Sequence, residues 1–561
     1  MSPAQPPLWH LLLPKSVTTL RRGYSLQSLG QDAMAGLTVA VVALPLAMAL
    51  AIASGTTPDK GLHTAIVAGF LISALGGSRV QIGGPTAAFI PVVFGVIERF
   101  GYGGLVLCTL LAGLILILAG LLRLGTLIKY MPQPVITGFT AGIAVSIFSS
   151  QVKDLLGLPI DKLPGEFLPR WQLYAEHVGA TNLWALGLGL GTLLLVVGLR
   201  RWRPGLPTLL IGVVAASLVC TLGEAPVATI GSTFGNLPSA LPQFAIPHIP
   251  FERTAELLPA SLTIAFLAGV ESLLSAVVAD GMTGGRHRSN AELVAQGVAN
   301  TASALIAGLP ATGALARTAT NVRAGARTPV AGMLHAVFLL GFMLLAAPLM
   351  RYVPLPALAG VLLFVAWNMS EVHRFRQLLR APPGDSAVLL VTFLLTVVFD
   401  LTVAIEVGVV MAAFLFMHRM TGVVALESAH QIVDEDIDDL SRPASENQQA
   451  RLPQGVAAFR IAGPLFFAVA NRLDDVLNQY PDPPAVFILR MRNVPLIDAS
   501  GVQAIEAFIL RCQRRGTAVL LCGLQRQPRT ILSQMGIDRQ PGLLGIEADF
   551  DAALARAESA R

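Results

Sequence analysis

The sequence predicts a polytopic α-helical membrane protein of fourteen transmembrane segments in two inverted halves of seven, followed by a small α/β domain. Three observations predict it. First, 54% of the 561 residues are hydrophobic, only 13% are charged, and the mean hydropathy is +0.66; a soluble chain carries about 25% charged residues. Second, apolar runs near or beyond the ~20 residues that cross a bilayer recur between residues 34 and 418. Third, two short segments broken by Gly and Pro, at residues 83–89 and 308–314, occupy matching places, with Thr86 and Thr312 separated by 226 residues. Paired, interrupted membrane segments of this kind mark a transporter's substrate site.

The predicted spans are 34–54, 61–77, 86–98, 104–122, 132–150, 181–199, 206–222, 257–279, 291–307, 313–324, 330–350, 355–370, 385–399 and 401–418. The third and tenth are half-length. Their non-helical leads, 79–85 and 308–312, must be buried in protein or line a cavity. With a cytoplasmic N-terminus (1–33), the inside loops hold about twice as many Lys and Arg residues as the outside loops. Dropping one half-helix would reverse every later loop, so the bias supports both. Shifting span 34–54 by 226 gives 260–280, close to 257–279, and span 104–122 gives 330–348, close to 330–350. Seven spans per half force the two halves into opposite topology.

The transmembrane region ends near residue 420. Residues 421–454, with Asp434, Glu435, Asp436, Asp438 and Asp439, read as a linker or irregular edge, and 455–561 as a soluble domain. Strands are expected at 456–462, 485–491 and 518–522, and helices at 468–479, 500–514, 528–535 and 549–557. Asp498 or Ser500 is placed to cap the helix that follows.

Glu271 lies in the middle of the eighth span. A charge at that depth costs about 2.5–3.5 kcal/mol on insertion scales, so the carboxyl belongs in a polar cavity, protonated or paired. Ser275 follows one turn on, on the same face. Together they are the candidate coupling-ion site, for a proton or a sodium ion. Arg317 stands one turn into the second half-helix and adds a full charge to the positive helix end; a salt bridge to Glu271 is the structural alternative. Thr86, Ala87, Ala88 and Phe89 open the first half-helix, and Gly313, Ala314, Leu315 and Ala316 the second. Their N–H groups suit an anion. Thr86 serves either as cap or as ligand contact, and Phe89 as substrate contact or core aromatic. Pro45 breaks the first span beside Ala47 and Met48, the third element of the candidate substrate site, and the 226 offset pairs it with Glu271. The expected reading is an unwound stretch there. Gln296 and Asn300, four residues apart on one helix, read as inter-helix hydrogen-bonding groups.

Other classes find no support. Cys108, Cys220, Cys512 and Cys522 show no metal-ligand spacing, the net charge of +5 reflects loop arginines rather than nucleic-acid binding, and no cleavable signal pattern opens the chain. No Ser-His-Asp order or phosphate-binding glycine loop appears, so neither an enzyme nor a cofactor is expected.

The chain resembles the sulfate permease (SulP) family, bacterial relatives of the SLC26 anion transporters. The resemblance rests on residues 32–38 (Asp-Ala-Met-Ala-Gly-Leu-Thr), Gly84-Pro85-Thr86, Ala279–Gly284 and Asn321–Pro329, and in the tail on Gly463–Ala468 and Asp498–Gly501, which resemble a STAS domain. It implies a core domain (spans 1–4 and 8–11) moving against a gate domain (spans 5–7 and 12–14), a homodimer in the lipid of a bacterial inner membrane, and an anion held between the half-helices. In bicarbonate relatives an acid at the Glu271 position and a hydroxyl at Ser275 help to hold sodium; Gly313–Ala316 lacks the hydroxyl those relatives place on the second half-helix. Residues 44–52, 271–274 and 366–371 are similar to the enterobacterial C4-dicarboxylate carriers of the family. The resemblance thus implies proton-coupled uptake of succinate or fumarate by alternating access, with sulfate or bicarbonate transport as the alternative. A nucleobase carrier of the same membrane fold would need no Arg317. A membrane-anchored signalling module, with the tail as output, is the remaining class.

Overall fold

The computed structural model describes residues 12–21, 23–126, 132–160, 162–203, 206–235, 244, 250–399, 401–423, 425–428, 452–465 and 483–560. The chain divides into two compact units, residues 1–412 and 413–561.

In the first unit a helix covers each expected span. Among the described residues, seven helices are long and apolar enough by themselves to cross a membrane. Most boundaries fall within a few residues of expectation, because lipid leaves the backbone no alternative to continuous helix. Span 1 is longer, Leu26–Ala53, and Ser25 caps it by accepting from the Ser28 N–H. It runs unbroken through Pro45, which corrects the expected unwinding. Proline removes one N–H and its φ already suits a helix, and close packing on neighbouring helices holds the segment straight enough to continue. A short helix at Lys15–Arg21 precedes the first span, and others at Phe167–His177, Ile230–Phe234 and Val372–Leu378 lie between spans.

The first half-helix opens with a tight turn at Ala87–Phe89 and continues as helix from Ile90. It ends at Gly101, whose φ of 70° and ψ of −176° turn the chain into span 4; that φ suits glycine. Spans 4 and 9 approach closely at Gly113 and Gly297, where a Cβ on either would fall 2.8 or 2.6 Å from the other's carbonyl oxygen. Near the start of span 1 the carboxylate of Asp32 accepts from the Arg327 and Thr328 N–H groups, the Thr328 hydroxyl and the Tyr24 hydroxyl. Two of the stretches that carry the family resemblance thus meet in space. Burial and the Asp32 bond push the Tyr24 hydroxyl up to about 12.

The second unit holds a five-stranded sheet of β3 (Ala425–Ser428), β4 (Val456–Ala462), β5 (Val486–Asn493), β6 (Ala518–Cys522) and β7 (Leu543–Glu547), in that order. The edge strand β3 runs antiparallel to β4 and the other neighbours are parallel. Three strands match expectation. The edge strand β3 sits at the start of the stretch read as linker, and β7 was not expected. Phe459 stacks on Phe487, which meets Phe508 edge to face, in a core between one sheet face and helix Ala499–Arg514. The other face buries Ala458, Ile488 and Leu520 against helix Phe550–Ser559. Asp498 caps the Ala499 helix, accepting from the Gly501 N–H at 2.8 Å. The helix expected at 468–479 and the acidic run 434–439 lie outside the described residues.

Candidate anion site at the crossing of two half-helices

The leads into the two half-helices meet. β1 (Gly83–Gly84) and β2 (Thr312–Gly313) form a two-stranded antiparallel sheet, Gly83 opposite Gly313 and Gly84 opposite Thr312. Beyond this crossing each chain enters its helix, at Ala87 and at Leu315. Thr86 and Ala314 are the respective N-cap residues, and no side chain caps either end. The orphan N–H groups of both helices remain for a ligand, with the positive dipole ends behind them.

This geometry corrects the repeat offset. The two N-caps are 228 residues apart, so the counterpart of Thr86 is Ala314, while Thr312 sits back in the strand. The same offset places Ala43, not Pro45, at the position matching Glu271. Helix starts at Leu26 and Thr254 carry the same offset. Equating the two threonines by residue type set the register two residues short.

Side chains from three segments converge on the crossing. The Thr86 hydroxyl donates to Glu271 Oε2 at 2.9 Å. Arg317 is 3% exposed and donates from Nη2 to the Pro85 carbonyl oxygen at 2.9 Å; its Nε and Nη1 are buried without a hydrogen-bond partner. Among the described residues no ion pair joins Arg317 to Glu271, so the salt-bridge alternative is not formed. Gly84, at φ +148°, lets the guanidinium lie against the backbone: a Cβ there would stand 2.5 Å from Nη1. A second Gly position, Gly313, leaves room for Gln81, whose Nε2 would lie 1.5 Å from a Cβ. A buried guanidinium with donors to spare, beside two uncapped helix ends, is chemistry for an oxyanion.

The known proteins that this chain is similar to agree with that chemistry. The model of the sulfate permease family matches residues 29–392, and that of the STAS domain residues 447–553. The chain belongs to the sulfate permease family. It is an anion transporter of that family and not an enzyme. It is 39% identical over 525 residues to "Putative sulfate transporter YvdB" of Bacillus subtilis (strain 168), covering 93% of this chain and 96% of the relative. It is 29% identical over 516 residues to the bicarbonate transporter BicA of Picosynechococcus sp., covering 90% of each. The structure of murine Slc26a9, an anion transporter in the inward-facing state, matches with a TM-score of 0.85 over 100% of this chain and 96% of that one, at 17% identity, which speaks to the fold alone. The transmembrane domain of a cyanobacterial BicA matches at a TM-score of 0.61 and 29% identity, covering 68% of this chain and 98% of that one. YvdB carries a sulfate name and BicA a bicarbonate name; the C4-dicarboxylate similarity stands on the sequence stretches alone.

The remaining candidate residues of this sulfate permease family member divide in two. Leu315 and Ala316 are exposed at the start of the second half-helix, Leu315 to 42%. Ala87, Ala88 and Phe89 are buried, Phe89 to 2%, so its ring is a core aromatic. Ala47 and Met48 are buried in span 1, where Gly61 of span 2 packs on the Ala47 carbonyl. The Ser275 hydroxyl is fully buried and donates to Thr318 Oγ1 at 3.0 Å, and Thr318 Oγ1 in turn accepts from the Ile82 N–H. Gln296 reaches Ser272 on span 8, an inter-helix bond as expected; Asn300 instead pins the second lead, bonding both the N–H and the carbonyl of Ala311. The sequence reading passed over Gln81, Thr318 and Glu292. For Thr318 and Glu292 the signal is a polar side chain in a membrane span, the same signal that singles out Glu271; Gln81 lies in the non-helical first lead and has no such signal.

Proposed function

We propose that this sulfate permease family member is a secondary active carrier that takes up a small oxyanion by alternating access, with sulfate as the first substrate and a proton as the coupling ion. The observation that carries the reading is the buried Arg317, which has unused donors and stands in the first turn of one of two half-helices that no side chain caps. The names of the relatives favour an inorganic oxyanion. A second reading, a C4-dicarboxylate, draws on exposed Leu315 and Ala316, which offer apolar contact to a carbon chain that sulfate lacks.

Glu271 is the proposed coupling group. Its carboxyl accepts from the Thr86 hydroxyl, and the side chain of Leu315 on the second half-helix brings no oxygen to complete a cation's set. A proton needs neither. Neutralised, Glu271 would leave the charge of Arg317 free to draw the anion. The Lys and Arg bias supports a cytoplasmic N-terminus and a cytoplasmic tail in a bacterial inner membrane, and the family resemblance a homodimer.

Reconstituted protein should take up labelled sulfate, faster with an inward proton gradient. Succinate and bicarbonate serve as competitors. Competition by succinate and not bicarbonate would favour the dicarboxylate reading, and uptake driven by sodium alone would remove the proton. In Glu271→Gln the pH dependence of uptake should vanish; an unchanged profile would sink the coupling role.

A further inference from the structure

We propose that Glu292 is a positioning residue of the transport site, holding the first lead against span 8 and so setting where Thr86 meets Glu271 and where Pro85 meets Arg317. The proposal rests on the crossing being the anion site. Glu292 lies one turn into span 9 (Ser289–Leu305) and is fully buried. Its Oε2 accepts from the Gly77 N–H at 2.8 Å and the Ser78 N–H at 3.2 Å. Its Oε1 accepts from the Ser272 hydroxyl and from Gln296 Nε2, both at 2.9 Å. All four partners donate, so the site is built for an acceptor-only carboxylate.

The chain of contacts leads to the anion site on both sides. Ser272 is the neighbour of Glu271 on span 8. Its single proton goes to Glu292, and its oxygen accepts from Gln81 Nε2 and Gln296 Nε2, each at 2.8 Å. Gln81 belongs to the first lead, and its amide occupies the space beside Gly313 of the second. Between Gly76 and Ala87 the first lead has no helix of its own; side chains from spans 8 and 9 and the second half-helix hold it, Glu292 at its start. Its far end carries Pro85 and Thr86, the partners of Arg317 and Glu271. A shift at Gly77 therefore reaches both charged groups. An amide at 292 would turn an NH2 group toward donors on one side or the other.

Two measurements on the full-length protein test this. In proteoliposomes, uptake of labelled sulfate and of labelled succinate is measured in parallel. Glu292→Gln should raise KM about tenfold or more for whichever anion the wild type carries, with maximal rate per folded protein within threefold. Glu292→Asp should recover part of the affinity. Ser272→Ala should raise KM similarly, and the double variant no further, since both break one network. If Glu292→Gln does not fold, Ser272→Ala carries the test. An unchanged KM, with rate falling only as folded protein falls, would overturn the proposal. Hydrogen exchange over residues 77–88 should rise in the variant and stay level in span 5; wild-type exchange there would also overturn it. If the wild type carries neither anion while exchange still rises, the positioning role stands and the substrate reading falls.

Discussion

Thr86 and Glu271 stand 185 residues apart in sequence and share a hydrogen bond of 2.9 Å. One opens the first half-helix and the other sits mid-way along span 8. Whatever binds at the half-helix end therefore feels the protonation of Glu271 through one hydroxyl. Such a contact gives an anion and a proton a direct route of coupling, beside any that runs through a change of state.

Thr86→Ala removes the donor and leaves the carboxyl oxygen without it. A lost bond to a charged group costs about 1.5–3 kcal/mol. Uptake efficiency should fall at least tenfold and the proton dependence should weaken. Thr86→Ser keeps the hydroxyl and should stay within about threefold of wild type. Uptake kinetics at several pH values check both, and a wild-type profile in Thr86→Ala would remove the link.

Arg317 makes a different demand. One arm of the guanidinium is committed to the Pro85 carbonyl and the other nitrogens are uncommitted. A lysine keeps the charge but cannot serve both the carbonyl and a planar pair of anion contacts. Arg317→Lys should raise KM about tenfold, and Arg317→Gln about a hundredfold, equal to ~2.8 kcal/mol. Initial uptake rates across anion concentration measure this; equal KM values would place the anion elsewhere.

Gly84 gives a test of close approach. Its φ of +148° already disfavours a side chain, and a Cβ would push the guanidinium from 2.5 Å. Gly84→Ala should reach the membrane at normal levels and lose at least tenfold in uptake. Gly95→Ala, whose Cβ meets nothing within 4 Å, should transport as wild type and serves as control.

The spans were legible because hydrocarbon forces long apolar helices, and the half-helices because Gly and Pro interrupt them. The Glu271 and Arg317 pair was legible because charge at membrane depth has a price. The Glu292 network was not: the charge stands out, but its partners Gly77 and Ser78 lie over 200 residues away. The repeat register slipped because two threonines looked equivalent, and only the crossing shows one as a cap position and the other as a strand residue. In the tail, helix Ala499–Arg514 followed from Asp498 and its apolar stripe. Strand β7 escaped notice because Leu543–Glu547 is half-buried throughout and carries no alternation.

The tail's two cysteines yield a prediction about pH. Cys512 and Cys522 are both buried, and burial pushes both thiols from 9.0 up to about 12. The thiolate is the reactive form, so at pH 8 neither should be alkylated by iodoacetamide in the folded protein, and both should be in denaturant. The sign for stability follows from linkage. The folded state holds the proton more tightly than the unfolded one, so the protonated thiols stabilise the tail fully below about 9. That contribution fades as pH rises from about 9 toward about 12, and the unfolding midpoint of the tail should fall over that window. Peptide-resolved mass spectrometry after labelling checks the first expectation. Labelling of either cysteine in the native protein at pH 8 would show that the core between sheet and helices opens on the timescale of the reagent.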